Sequence, residues 1–167
     1  CVCRESVYSF FERVVDVIMG YYAEAGVPIE YFHIGGDEIP SGPWTESPIC
    51  ADFLSQFKNY ETKNLHAYYF ERAIEILRKR NLKAAGWEET ALLEVNGKQT
   101  VNPKFSGGQV IPYVWNTLWG AQDLGYRLAN RGYPVVLCPV TNFYFDLAYD
   151  KDPEEPGLYW AGFVNTR

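Results

Sequence analysis

Short apolar runs alternate with stretches of helical periodicity along this 167-residue chain, and that alternation limits the fold more than any other feature. Apolar residues at 7, 10, 11, 14, 15, 18, 21 and 22 fall on one face of a helix. Ser6 is its expected N-cap, and Gly26 with Pro28 ends it. A strand is expected over 29–34. A loop rich in Pro, Ser and Gly follows over 39–62, with a short helical piece near 51–57. A second helix is expected over 62–80, with Leu65, Tyr69, Ala73, Ile74 and Leu77 on one face and Asn81 as a left-handed closing residue. The pattern then gives a strand over 82–86, an excursion loop over 94–108 and a strand over 110–115. A helix over 121–130 ended by Gly132, a strand over 135–138 and a long aromatic loop complete it. Helices alternating with short apolar strands imply a parallel sheet with helical cover.

Two α/β architectures compete, the open doubly wound sheet and the (β/α)8 barrel. No Gly-rich phosphate loop follows any strand. Instead the strands end in polar or aromatic residues: Asp37 and Glu38, Trp87, Trp115, then Asn142 and Tyr144. Candidate chemistry spread over many strand ends favours a barrel rim. A barrel needs eight strands and about 200 residues or more, whereas about four strands are expected here. The residues by themselves therefore give an α/β chain with about half the strands of a barrel.

The chain carries 15 Lys and Arg against 21 Asp and Glu, a net charge of -6. That balance argues against nucleic acid, whose binding depends on neutralising phosphates. No basic stripe suggests an anionic membrane surface, and no apolar run is long enough to span a bilayer. Residues 1–25 read as a charged amphipathic helix, not a signal peptide. Since the first residue is not Met, the chain reads as a fragment or a processed product. Aromatic residues make up 17%, which suits either the apolar faces of sugars or a Tyr-rich core. Cys1, Cys3, Cys50 and Cys138 neither demand nor exclude disulfides. Cys1-Val2-Cys3 is too tight to be a metal pair on its own, and Cys138 is expected to be a buried free thiol. Two isolated histidines and acidic pairs without a ladder of oxygens predict no metal site.

The sharpest motif is His33-Ile34-Gly35-Gly36-Asp37-Glu38. Adjacent residues on an ideal strand point to opposite faces. Asp37 and Glu38 can share one site only where the strand ends and twists, which the two glycines permit. This hexapeptide resembles the signature of the family 20 glycoside hydrolases, the β-N-acetylhexosaminidases, and looks closest to their bacterial chitobiase-like members. The resemblance runs from about residue 7 to the end. It continues through Gly86-Trp87, then Trp115-Asn116 with Trp119-Gly120, then Asn142-Phe143-Tyr144-Phe145-Asp146, and then the loop over 149–162.

The resemblance implies strands four to seven of a (β/α)8 barrel. It also implies an exo-acting, retaining hydrolase of terminal β-linked N-acetylhexosamine. In such enzymes the substrate's own acetamido group is the nucleophile. Glu38 would be the general acid, with a pKa raised for that role, and Asp37 would polarise the acetamido group. Trp87 would wall the acetamido pocket together with Trp115 or Trp119. Tyr144 would hydrogen-bond the acetamido oxygen, and Asp146 would bind a sugar hydroxyl. Trp160, and more weakly Trp44, would approach the leaving sugar. His33 would be a buried support for the carboxylate pair, and His66 a surface residue. Glu88 and Glu89 read as solvated charges or a cap, with no chemistry. No cofactor is implied, and the partner would be an N-acetylglucosamine-containing oligosaccharide. An exported, periplasmic or extracellular location would follow. The family's first-strand Arg and eighth-strand Trp-x-Glu have no counterpart here. An inactive barrel fragment and a non-catalytic carbohydrate-binding module are therefore the alternatives.

Overall fold

A computed structural model describes residues 1–39, 42–44, 46–56, 65–95 and 97–163. Its centre is a parallel sheet in the order β1 (Tyr31–His33), β2 (Lys83–Trp87), β5 (Val110–Val114), β6 (Val136–Leu137). Each strand of the sheet lies beside the next one along the chain that joins it, as repeated βα units require. Helix α1 (Glu5–Glu24), α2 (Pro48–Gln56), α3 (Leu65–Arg78), α4 (Leu124–Asn130) and the short α5 (Val140–Phe143) make up the helical part.

The main core forms where Val15 of α1 and Phe70, Ile74 and Leu77 of α3 meet Ala84, Val110 and Val114 of the sheet. Alternation along β5 sends Val110, Pro112 and Val114 to this buried side and leaves Ile111 and Tyr113 half-buried on the other. Arg80, just beyond α3, pairs with Asp16 at 2.5 Å and with Glu12 at 3.6 Å, which ties the end of α3 to α1.

The expected helices, apolar strands and parallel sheet are present, with several corrections. Ser6 is not the cap of α1. Arg4 holds that position in extended backbone without a side-chain bond, and Glu5 opens the helix. An acid in the first turn suits the helix dipole, and Glu5 also pairs with Arg72 of α3 at 2.6 Å. Strand β1 is shorter than 29–34, although the Ile34 N–H still donates to the Ala85 carbonyl at 2.8 Å. Helix α2 begins at Pro48, and α3 is described from Leu65; Phe57 and 62–64 lie outside the described residues. Asn81 does adopt the left-handed conformation, at φ 58°.

The stretch 94–108 is not a plain loop. β3 (Leu92–Val95) and β4 (Lys98–Val101) form an antiparallel hairpin, followed by a 3-10 turn at Pro103–Phe105. Helix α4 starts at Leu124, three residues later than its pattern suggested. Cys138 lies past β6 and is a half-buried free thiol, less enclosed than expected. The terminal loop contains α5 and a bridge between Leu147 and Leu158.

Candidate active site

The candidate residues gather at the C-terminal edge of the parallel sheet. β1 runs into a turn at Gly35 (φ 69°), Gly36 (φ 108°) and Glu38 (φ 45°), a left-handed path that glycine accepts readily and Glu38 does not. The turn is docked from two sides. Gly35's carbonyl accepts the Trp87 N–H at 3.0 Å, and His66 Nε2 lies 3.1 Å from Gly36's carbonyl. A Cβ on Gly36 would stand 2.6 Å from the Phe70 ring, and one on Gly86 would overlap the Thr90 methyl group. Asp37 and Glu38 project from this turn and are exposed.

His66 is not a surface residue. It is half-buried, with its ring centroid 4.3 Å from that of Phe70 and 6.1 Å from that of Trp44. Burial holds its pKa down at about 4, against the small opposing pull of the Gly36 carbonyl. A neutral imidazole facing a carbonyl must carry its proton on Nε2, so His66 donates there. His33, expected to be buried, is exposed. Its ring nevertheless lies edge-on to Trp87 (5.5 Å) and Tyr113 (4.9 Å), and this desolvation lowers its pKa, with Asp37 opposing. His33 Nδ1 accepts the Gly35 N–H at 3.2 Å, so it does support the turn.

A second aromatic group forms beyond β5 and β6. Trp115 stacks on Tyr144 at 6.4 Å, and Trp160 meets both rings edge-on at 6.3 and 5.9 Å. Trp160 Nε1 donates to Asp146 Oδ2 at 2.9 Å, which fixes Asp146 against the aromatic wall. Trp119, 69% exposed and left-handed at φ 50°, stacks on the outer side of Trp160 at 6.3 Å. Trp44 lies apart, in a satellite core with Val2, Cys50 and Leu65. Burial raises the Tyr144 pKa, and the negative charges of Glu88, Cys138, Asp37 and Glu38 add to the effect. The carboxylate turn and the aromatic wall both follow C-terminal strand ends of one parallel sheet.

Glu88 and Glu89 are not solvated charges. Glu88 is 3% exposed and accepts the backbone N–H of Trp115 at 3.0 Å and of Asn116 at 3.1 Å. Burial raises its pKa while those two N–H groups pull it back. Glu88 thus fixes the strand end from which Trp115 projects. Glu89 is pushed up to about 7, first by burial and then by Glu88. Its Oε2 is buried without a protein partner. Nothing in the local sequence marks these burials, because the N–H groups that hold Glu88 come from 27 and 28 residues further on.

The one grouping with metal-ligand spacing among the described residues is Cys1, Cys3 and Cys50, with sulfurs within 4.8 Å of one another. Cys3 and Cys50 are joined as a disulfide.

The catalytic-domain model of glycosyl hydrolase family 20 matches residues 1–167. The chain belongs to glycosyl hydrolase family 20. As a family 20 chain it is 35% identical over 168 residues to a β-hexosaminidase of Vibrio vulnificus, covering 98% of this chain and 19% of that protein. It is 23% identical over 189 residues to the N,N'-diacetylchitobiase of Vibrio harveyi, covering 95% and 21%. Among solved structures it is similar to a family 20 exo-β-N-acetylglucosaminidase of Vibrio harveyi bound to N-acetylglucosamine. That match has a TM-score of 0.75 and 29% identity, with 98% of this chain and 23% of that one covered. The chain therefore spans about a fifth of the length of these relatives. Family 20 catalytic domains are TIM barrels, and the described residues of this chain are α/β with a four-stranded parallel sheet.

Proposed function

We propose that the protein carrying this chain is an exo-acting β-N-acetylhexosaminidase. It would release terminal N-acetylglucosamine, and N-acetylgalactosamine as a related substrate, from chito-oligosaccharides or glycans. What supports this reading is that the Asp37–Glu38 turn, Trp87 and the Trp115–Tyr144 stack all follow the C-terminal ends of strands in one parallel sheet. In this reading the sheet supplies strands four to seven of the barrel, and residues 1–167 are one part of the catalytic domain. An exported location follows the chitobiase-like relatives. No described helix is long and apolar enough to cross a membrane.

Glu38 protonates the departing glycosidic oxygen. Asp37 accepts the N–H of the 2-acetamido group and orients it. The acetamido oxygen then attacks the anomeric carbon, with a hydrogen bond donated by the Tyr144 hydroxyl, and an oxazolinium intermediate forms with net retention. Trp115, half-buried and stacked on Tyr144, walls the acetamido pocket more directly than the outlying Trp119; Trp87 forms the facing wall. Asp146 keeps one carboxylate oxygen for a sugar hydroxyl while the other holds Trp160. Trp160 and Trp119 are left to meet the leaving sugar.

The test is hydrolysis of a chromogenic β-N-acetylglucosaminide by the full protein, wild type beside Glu38→Gln. The expected loss is about 10²- to 10⁴-fold in kcat, the usual share of a general acid. Added azide should give no glycosyl azide of inverted configuration. Unchanged turnover in Glu38→Gln would favour a sugar-binding module instead.

A further inference from the structure

The disulfide between Cys3 and Cys50 ties the segment before α1 to the first turn of α2, within the connection that follows the carboxylate turn. A third sulfur stands beside it. Cys1 is a free, exposed thiol whose Sγ lies 3.1 Å from Cys50 Sγ and 3.5 Å from Ser47 Oγ. Cys50 itself is fully buried.

The local fold creates this arrangement. Val2, between the two cysteines, is buried at 5% exposure, and its carbonyl accepts the Tyr8 hydroxyl at 2.6 Å. The Arg4 N–H donates to the Cys1 carbonyl at 3.1 Å and closes a turn over residues 1–4. Cys1 and Cys3 therefore flank one anchored residue, and both reach the same buried sulfur.

We propose that Cys1, Cys3 and Cys50 form an internal thiol–disulfide exchange site, in which Cys1 and Cys3 compete for Cys50. The Cys1 thiol loses its proton and the thiolate attacks Cys50 Sγ. A Cys1–Cys50 bond forms, the Cys3–Cys50 bond breaks, and Cys3 leaves as a thiolate that takes up a proton. One disulfide and one thiol are present before and after, so the step needs no oxidant or reductant. The ring closed on Cys50 starts 47 residues away in one isomer and 49 in the other. Loop entropy depends on the logarithm of that length, so it scarcely separates the two forms. Local packing sets the balance, and the chain can slip by two residues over α2 without losing its tether.

The test is differential labelling of the full protein in its oxidised state. After incubation at pH 8.5 it receives a short pulse of excess N-ethylmaleimide. The modified cysteines are then located by proteolysis and mass spectrometry without reduction, with Cys138→Ser as the background. The expected result is label divided between Cys1 and Cys3 with none on Cys50, and a Cys1–Cys50 peptide beside the Cys3–Cys50 peptide. In Cys1→Ser the label on Cys3 should disappear. A Cys3→Ser variant, oxidised, should join Cys1 to Cys50. Label confined to Cys1 after prolonged incubation, or label on Cys50, would overturn the proposal. So would a Cys3→Ser protein that keeps Cys1 and Cys50 as free thiols.

Discussion

Glu89→Gln isolates the cost of ionising a buried carboxylate in this fold. Glu89 lines a cavity of about 440 Å³ together with Glu88, Asn116, Trp119 and Arg127. Its pKa rises from 4.5 to about 7, with burial as the first cause and Glu88 as the second. An acid whose pKa is raised on folding stabilises the fold when protonated. That contribution is whole below pH 4.5 and is lost as pH climbs through about 7. Fully converted, such a shift corresponds to roughly 3 kcal/mol, since one unit is about 1.4 kcal/mol. Glu89 retains partial contact with solvent, so about 1–2 kcal/mol is the better expectation after screening. Glu89→Gln, neutral at every pH, should therefore gain about 1–2 kcal/mol on wild type between pH 4.5 and pH 8. Urea unfolding of both proteins at pH 4.5, 6, 7 and 8 measures this. A stability difference that stays constant across the series would refute the reasoning, because a buried ionisation cannot be independent of pH.

Three further substitutions separate chemistry from structure. Tyr144→Phe keeps the ring stacked on Trp115 but removes the hydroxyl, so kcat should fall about 10- to 100-fold with stability nearly unchanged, as steady-state kinetics and thermal melting together would show. Glu88→Ala strands the N–H groups of Trp115 and Asn116, and should cost about 2–5 kcal/mol in urea unfolding while quenching or shifting the tryptophan fluorescence. Gly86→Ala forces a methyl group against Thr90 and to 2.9 Å from the Gly35 carbonyl. Its expected cost is about 1–3 kcal/mol, with a loss of kcat larger than any change in KM, since the carboxylate turn must shift.

The apolar spacing of residues 65–77 was enough to read α3, whose stripe is buried. The spacing of 7–22 gave the helix α1 but not its buried face, since only Tyr8 and Val15 are buried and Phe10, Tyr21 and Tyr22 of the expected stripe are exposed. The short strands were legible from their apolar runs, but their ends were not. β1 stops after three residues because the chain must turn left-handed at Gly35, a decision made by the site and not by strand propensity. The β3–β4 hairpin was hidden by its polar composition. Its signal was the Asn96-Gly97 pair, a favoured hairpin turn, and Gly97 does take φ 73°. Tyr144 is not at a strand end but caps α5, seven residues past β6, whereas Trp87 and Trp115 were readable as strand-end residues and the carboxylate pair as the turn after a strand. Glu88, Glu89 and His66 were not, because the groups that hold or desolvate them lie in other parts of the chain. A sequence pattern shows which residues share a face, but it does not show a charge satisfied across the fold.

Those hidden residues explain how the site is held. Two non-glycine residues of the candidate site, Glu38 and Trp119, sit in the left-handed region, which costs an ordinary residue about 1–2 kcal/mol each. The Glu38 turn keeps that conformation because neighbouring elements fix it. The Trp87 N–H of β2 binds the Gly35 carbonyl, His66 of α3 binds the Gly36 carbonyl, and the Phe70 ring fills the space where a Gly36 side chain would go. Glu88 does the same for the aromatic wall through the backbone of Trp115. The positions of the carboxylates are thus set by α3 and β2 more than by contacts of their own. A change in α3 or β2 can therefore displace Asp37 and Glu38 without touching either, and the displacement should appear in kcat before it appears in unfolding.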